Sequence, residues 1–109
     1  MIDLEHGELA MVREILERHL AGHEVWAYGS RVHGRRKPSS DLDLAVAGEV
    51  PLALGLVASL ELDFEESDLP FKVDIVDLAS VSASFRERIC ARHEVLLSAD
   101  QNSAPAPRH

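Results

Sequence analysis

The sequence predicts a small α/β domain, a mixed β-sheet of three to four strands with helices packed mainly on one face. Three observations predict it. Segments whose apolar residues recur every three or four positions alternate along the chain with short runs of period two. Two of those runs carry aspartates on a single parity, apart from the apolar side. The length, 109 residues, suits one core, since a domain of this size buries roughly 60 to 70% of its unfolded surface. A second lobe closing over a large substrate is not expected.

The first helix spans Leu4 to Leu20, where Leu9, Val12, Ile15, Leu16 and Leu20 keep helical spacing and Gly22 supplies a stop. Val25 to Tyr28 is aromatic and β-branched, too short for a stable helix, and reads as the first strand. Gly29 to Ser40 is a connection rich in glycine, serine and basic residues. Asp41 to Val46 then alternates strictly, with Leu42, Leu44 and Val46 on one parity and Asp41 and Asp43 on the other. Both carboxylates therefore share a face.

Pro51 suits a first helical turn, and Leu52, Leu56, Val57, Leu60 and Phe64 continue a second helix. After the acidic turn Glu65 to Asp68, Phe71, Val73 and Ile75 alternate with Lys72, Asp74 and Val76, so Asp74 points away from its strand's apolar side. Ser84 and Glu87 form a capping-box pattern for a short helix that turns Phe85 and Ile89 inward. Val95 to Leu97 is a last strand. The expected domain is residues 1–97. Residues 98–109, polar with two prolines, are expected to form a disordered tail.

Composition narrows the function. With 19 acidic against 11 basic side chains the net charge is −8, which disfavours strong direct binding to nucleic acid. The single cysteine, Cys90, excludes an intrachain disulfide and a cysteine-rich zinc site, and is expected to be a buried or semi-buried inert thiol. No apolar run approaches the roughly 20 residues that span a bilayer, and no leader pattern opens the chain, so a cytoplasmic location is expected.

The chemistry resides in the aspartates. If the strands of Asp41 to Val46 and Phe71 to Asp77 are neighbours, about 4.8 Å apart, Asp41, Asp43 and Asp74 converge. Clustered carboxylates repel unless protons or a cation neutralise them. Mg²⁺ suits the set, because it prefers oxygen and is usually held by one or two carboxylates together with nucleotide phosphates. A phosphate-binding element is expected at the end of the first strand. There Gly29 permits close backbone approach, Ser30 offers a hydroxyl and an N–H, and Arg31 a cation capable of bidentate contact. The segment lacks the lysine and second glycine of a Walker A loop. Arg35, Arg36 and Lys37 read most simply as a solvated loop, Trp26 and Tyr28 as core, with Tyr28 placed to line the site. His19 and His23 make a poor metal pair, because Gly22 ends the helix between them.

The order of these parts, glycine and serine ending one strand, Asp41 and Asp43 ten residues later and Asp74 on a third strand, resembles the DNA polymerase beta-like nucleotidyltransferase superfamily. The segment YGSRVHGRRKPSSDLDLAV, Tyr28 to Val46, resembles its minimal nucleotidyltransferase (MNT) branch. FKVDIVDL, Phe71 to Leu78, and RERIC with HEVLL resemble the branch's later strand and closing elements. The resemblance covers roughly residues 5–97. It implies a nucleotidyltransferase fold in which Gly29 and Ser30, with Arg31 beside them, hold the triphosphate of ATP. Asp41, Asp43 and Asp74 bind Mg²⁺, and Asp74 also helps to deprotonate the attacking hydroxyl. Asp77, of opposite parity, is the rival third carboxylate. His33 departs from the basic or small residue common in the branch and touches no essential role.

The branch is commonly the antitoxin of a pair whose toxin is a HEPN ribonuclease, and some members transfer AMP from ATP to a tyrosine hydroxyl of that toxin. The resemblance therefore implies an AMPylating antitoxin with a HEPN partner, in homo- or hetero-oligomeric form. The alternatives are a binding module that neutralises its toxin by occlusion, and transfer to RNA or a small molecule.

Overall fold

The computed structural model describes residues 4–29 and 41–98. Within them lie α1 (His6–Leu20), β1 (Val25–Tyr28), β2 (Leu42–Val46), α2 (Leu54–Glu65), β3 (Val73–Asp77), α3 (Ala83–Ala91) and β4 (Glu94–Leu97). The strands form one sheet in the order β3-β2-β1-β4. β1 pairs antiparallel with β2 and with β4, while β2 and β3 are parallel. The sheet is mixed, as expected, and the parallel pair takes α2 as its crossover.

Alternation sorts the two faces. Val25 and Ala27 of β1, Leu42, Leu44 and Val46 of β2, and Val73 of β3 point to one side. There they meet Val12, Ile15, Leu16 and Leu20 of α1 and Leu60 and Phe64 of α2 in the main core. The other face carries a smaller cluster in which Ala45, Leu78 and Ile89 gather Trp26, Tyr28, Val76 and Phe85. Two helices thus cover one face and α3 part of the other. The polar residues Asp43 and Asp74 share that second face.

Local polar contacts set the ends of the elements. Glu5 N donates to Glu8 Oε1 at 3.1 Å ahead of α1, and Gly22, at φ +90°, turns the chain out of it. Arg13 Nε donates to the Leu96 carbonyl at 3.1 Å, which fixes α1 over β4. His19 Nε2 lies 2.6 Å from Asp63 Oδ2 and Arg18 donates to the same oxygen at 3.1 Å, tying α1 to α2.

Several expected boundaries move. α2 begins at Leu54 with Ala53 as cap, not at Pro51, because Leu52 N donates to Asp77 Oδ2 at 2.7 Å and holds that stretch out of the helix. The cap of α3 is Ser82, whose hydroxyl accepts Phe85 N at 3.2 Å; Ser84 and Glu87 lie inside the helix. β3 starts two residues after Phe71, at Val73. Cys90 is exposed, not buried, since Ile89 takes the inward position of α3 and the next residue turns about 100° away. Residues 99–109, most of the expected tail, lie outside the described residues. Among the described residues no helix is long and apolar enough to cross a membrane.

Candidate active site

Three side chains line up across the second face. Tyr28 of β1 is the register partner of Asp43 in β2, and Asp43 is the partner of Asp74 in β3. Register partners on neighbouring strands project to the same side, so this row follows from period two and the pairing alone. It could not arise with the register shifted by one, which would bury both carboxylates among the leucines. Asp41 enters just ahead of β2, exposed to solvent.

Gly29 follows directly on Tyr28 with φ at +84°. A Cβ built there would collide with Asp43 Oδ2 and lie 3.3 Å from Asp43 Cγ. The missing side chain is thus what lets the Asp43 carboxylate lie against the backbone at the end of β1. Ser30 and Arg31, the other residues of the expected phosphate-binding turn, lie outside the described residues, as do His33, Arg35, Arg36 and Lys37.

The electrostatics fit a cation-binding frame. Partial burial, then the neighbouring charges of Asp74 and Asp41, push the Asp43 carboxyl above its ordinary value. Tyr28 is pushed up to about 12, first by burial and then by Asp43 and Asp74, so its phenol stays neutral and able to donate. Its ring is braced from the side by Phe85 of α3, centroids 5.9 Å apart and planes at 80°. Lys72 Nζ lies 3.6 Å from Asp74 Oδ1 on an exposed strand end. Lys72 was not anticipated as part of the site, although it shares the parity of Asp74.

Among the described residues no three His, Cys, Asp or Glu side chains gather closely enough to hold a metal ion by themselves. The expected convergence of Asp41, Asp43 and Asp74 on one point is thus not met by all three: Asp43 and Asp74 are register partners, while Asp41 stands ahead of β2, exposed to solvent. The raised proton affinity of Asp43 is the cost of burying its charge beside Asp74 and Asp41.

Asp77 does other work. Its Oδ2 accepts Leu52 N at 2.7 Å and its Oδ1 accepts Ala79 N at 3.1 Å, so both oxygens hold backbone around the ends of β3. Of the two rival third carboxylates, Asp74 alone stands in the row with Asp43. His19 is engaged by Asp63 and lies on α1, behind the sheet from this row.

Residues 11–102 match the family model for the polymerase beta nucleotidyltransferase domain. The chain belongs to that family. Within this nucleotidyltransferase family it is 47% identical over 88 residues to the probable protein adenylyltransferase MntA of Haemophilus influenzae, covering 81% of this chain and 77% of that protein. The fold recurs in a toxin–antitoxin crystal structure with AMP-PNP, TM-score 0.70 at 23% identity over 85% of this chain and 75% of that one. It recurs also in the MNT antitoxin complex with a tri-AMPylated Shewanella oneidensis HEPN toxin, TM-score 0.66 at 20% identity over 90% and 76% of the two chains. The nucleotidyltransferase fold expected from the sequence is thus the fold observed.

Proposed function

We propose that this nucleotidyltransferase is a Mg²⁺-dependent protein adenylyltransferase, the antitoxin of a HEPN ribonuclease toxin, which it neutralises by transferring AMP from ATP to a hydroxyl of that toxin, a tyrosine in the first instance. The observation that carries the reading is the Asp43–Asp74 register pair with Gly29 against it. The likeness to a protein adenylyltransferase at 47% identity supports protein as the acceptor, and the likeness in fold to antitoxin complexes agrees with it.

The residues divide the work as follows. Gly29, with Ser30 and Arg31 after it, binds the triphosphate, where backbone N–H groups and a guanidinium match phosphate oxygens. Asp41, Asp43 and Asp74 hold Mg²⁺ with those phosphates. When bound there, the ion would supply charge neutralisation to the phosphates and to the developing charge of an in-line displacement. Asp74, at the solvent-facing edge of the row, takes the proton of the acceptor hydroxyl. The hydroxyl oxygen forms a bond to the α-phosphorus, the bond from that phosphorus to its bridging oxygen breaks, and pyrophosphate leaves. The setting is the cytoplasm, where ATP is supplied and the single thiol of Cys90 stays reduced.

The test is co-incubation of the chain and its partner toxin with α-labelled ATP and Mg²⁺, followed by mass spectrometry of the toxin. An adenylyl mass added by the wild type and absent with Asp43→Ala is the expected result. A toxin neutralised equally by wild type and Asp43→Ala, with no mass added, would mean occlusion instead of transfer.

A further inference from the structure

Helix α2 is apolar on two sides. Its inward stripe, Leu56, Leu60 and Phe64, packs into the core, and one such stripe is all that a helix covering a single sheet face requires. A second stripe follows at the same four-residue spacing on the opposite side. Leu54, Ala58 and Leu62 are all exposed, Leu54 at 88% and Leu62 at 51%. Exposed leucines in file on one helix form a surface that favours contact with another molecule.

The stripe leads toward the site. Leu62, with Leu69 and Phe71, lines an open groove of about 690 Å³ that runs between α2 and the β3 end of the sheet and reaches Lys72 and Asp74. Glu61 and Glu65 of α2 stand along the same groove. The groove is therefore of mixed lining, apolar at Leu62 and Leu69, acidic at Glu61 and Glu65, with Lys72 beside Asp74, and it shares Asp74 with the candidate catalytic row.

We infer that this groove, with the Leu54–Ala58–Leu62 ridge beside it, is the docking surface for the acceptor protein. The segment that fits has an apolar anchor to cover Leu62 and Leu54 and Lys or Arg side chains to meet Glu61 and Glu65. Its hydroxyl-bearing residue is thereby delivered to Asp74. The inference rests on the adenylyltransferase reading and adds to it the place and chemistry of acceptor binding. A second copy of the chain is the poorer occupant. Each copy carries a net charge of −8, and pairing the ridges would set Glu61 and Glu65 of one copy against those of the other, where facing like charges are costly.

The test compares the full wild-type chain with Leu62→Asp and with Glu61→Lys/Glu65→Lys, measuring AMP transfer to the partner toxin while toxin and ATP concentrations are varied separately. Both variants alter exposed positions, and circular dichroism reports that they fold. The expected result is a KM for the toxin raised at least about tenfold in each, the effect of losing one strong interface contact, with the KM for ATP within about twofold of wild type. An unchanged KM for the toxin in both variants overturns the inference while leaving the enzymatic reading intact. A wild-type dimer in sedimentation that Leu62→Asp converts to a monomer also overturns it, in favour of self-association. Failure of the wild type to label the toxin at all defeats the enzymatic reading itself, and the docking inference with it; that failure is visible in the wild-type reaction alone.

Discussion

The Asp43 carboxylate occupies the space that a side chain at Gly29 would need. A Cβ at position 29 would strike Asp43 Oδ2, and the backbone there has φ at +84°, a conformation that costs an L-residue about 1 to 2 kcal/mol. Two independent constraints thus converge on glycine. Gly29→Ala is expected to lower stability by about that amount and to displace the Asp43 carboxylate. Because misplacement of a reacting group by about 1 Å can cost 100-fold in rate, AMP transfer should fall by at least that factor even at temperatures where the variant is folded. Transfer rates measured beside a urea titration separate the two effects, and near-wild-type turnover per folded molecule would contradict the assigned role of the close approach.

Asp74 and Asp77 make a matched pair of controls. They sit on one strand with opposite parity, Asp74 in the row with Asp43 and Asp77 holding the amides of Leu52 and Ala79. Asp77→Ala strands two backbone donors and should cost about 1 to 3 kcal/mol of stability, the penalty range for a donor left unsatisfied, while turnover per folded molecule stays near wild type. Asp74→Asn removes a charge that repels Asp43 and should leave stability equal or higher while transfer is lost. Thermal melts and transfer rates on both variants decide the matter; the reverse pattern would make Asp77 the third carboxylate.

Much of this arrangement is legible in the sequence because period two and the hydrophobic pattern are strong constraints. Leu42, Leu44 and Val46 cannot face the core unless Asp43 faces the other way, and the same holds for Val73 and Asp74. Boundaries are less legible because they depend on partners distant in the chain. Nothing near Pro51 announces that Asp77, on another strand, captures the Leu52 amide and delays α2 to Leu54. The core stripe of α2 is legible as Leu56, Leu60 and Phe64, which the structure packs into the core, whereas the outer stripe at Leu54, Ala58 and Leu62 gains meaning only once the sheet shows that it faces away. Cys90 illustrates the same limit: its burial turns on which face of α3 meets Leu78 and Ala45.

The link between α1 and α2 gives one limb of the pH dependence. The hydrogen bond from His19, then that from Arg18, holds the Asp63 carboxyl below its ordinary value. The unfolded chain therefore takes up protons at Asp63 more readily than the folded one, and stability from this group is present above the ordinary value of 3.8 and is lost as pH falls through the depressed one. Asp63→Asn should be less stable than wild type at neutral pH, by a small margin because the link is partly exposed, and the deficit should shrink on acidification. Thermal melts across that range check it, and a deficit that does not change with pH would mean that packing, not ionisation, is what the substitution disturbs.

Asp43 works in the opposite sense. Burial, then Asp74 and Asp41, raise its carboxyl above the ordinary value, so the folded chain binds the proton more readily than the unfolded one. Its contribution to stability is fully present below the unfolded value and is lost as pH rises through the raised folded value. At neutral pH the charged Asp43 is thus a net cost, and Asp43→Asn should stabilise the protein there while abolishing transfer. The gain should vanish in acid, where wild-type Asp43 is already protonated. Mg²⁺ at the proposed site would supply a second way to remove the same cost. With ATP present, a cation that binds the folded state alone should raise the wild-type melting temperature by mass action and raise that of Asp43→Asn much less. Melts of both proteins at two pH values, with and without Mg²⁺ and ATP, provide four comparisons. Equal Mg²⁺-dependent shifts in the two proteins would remove Asp43 from the metal site, whatever its effect on turnover.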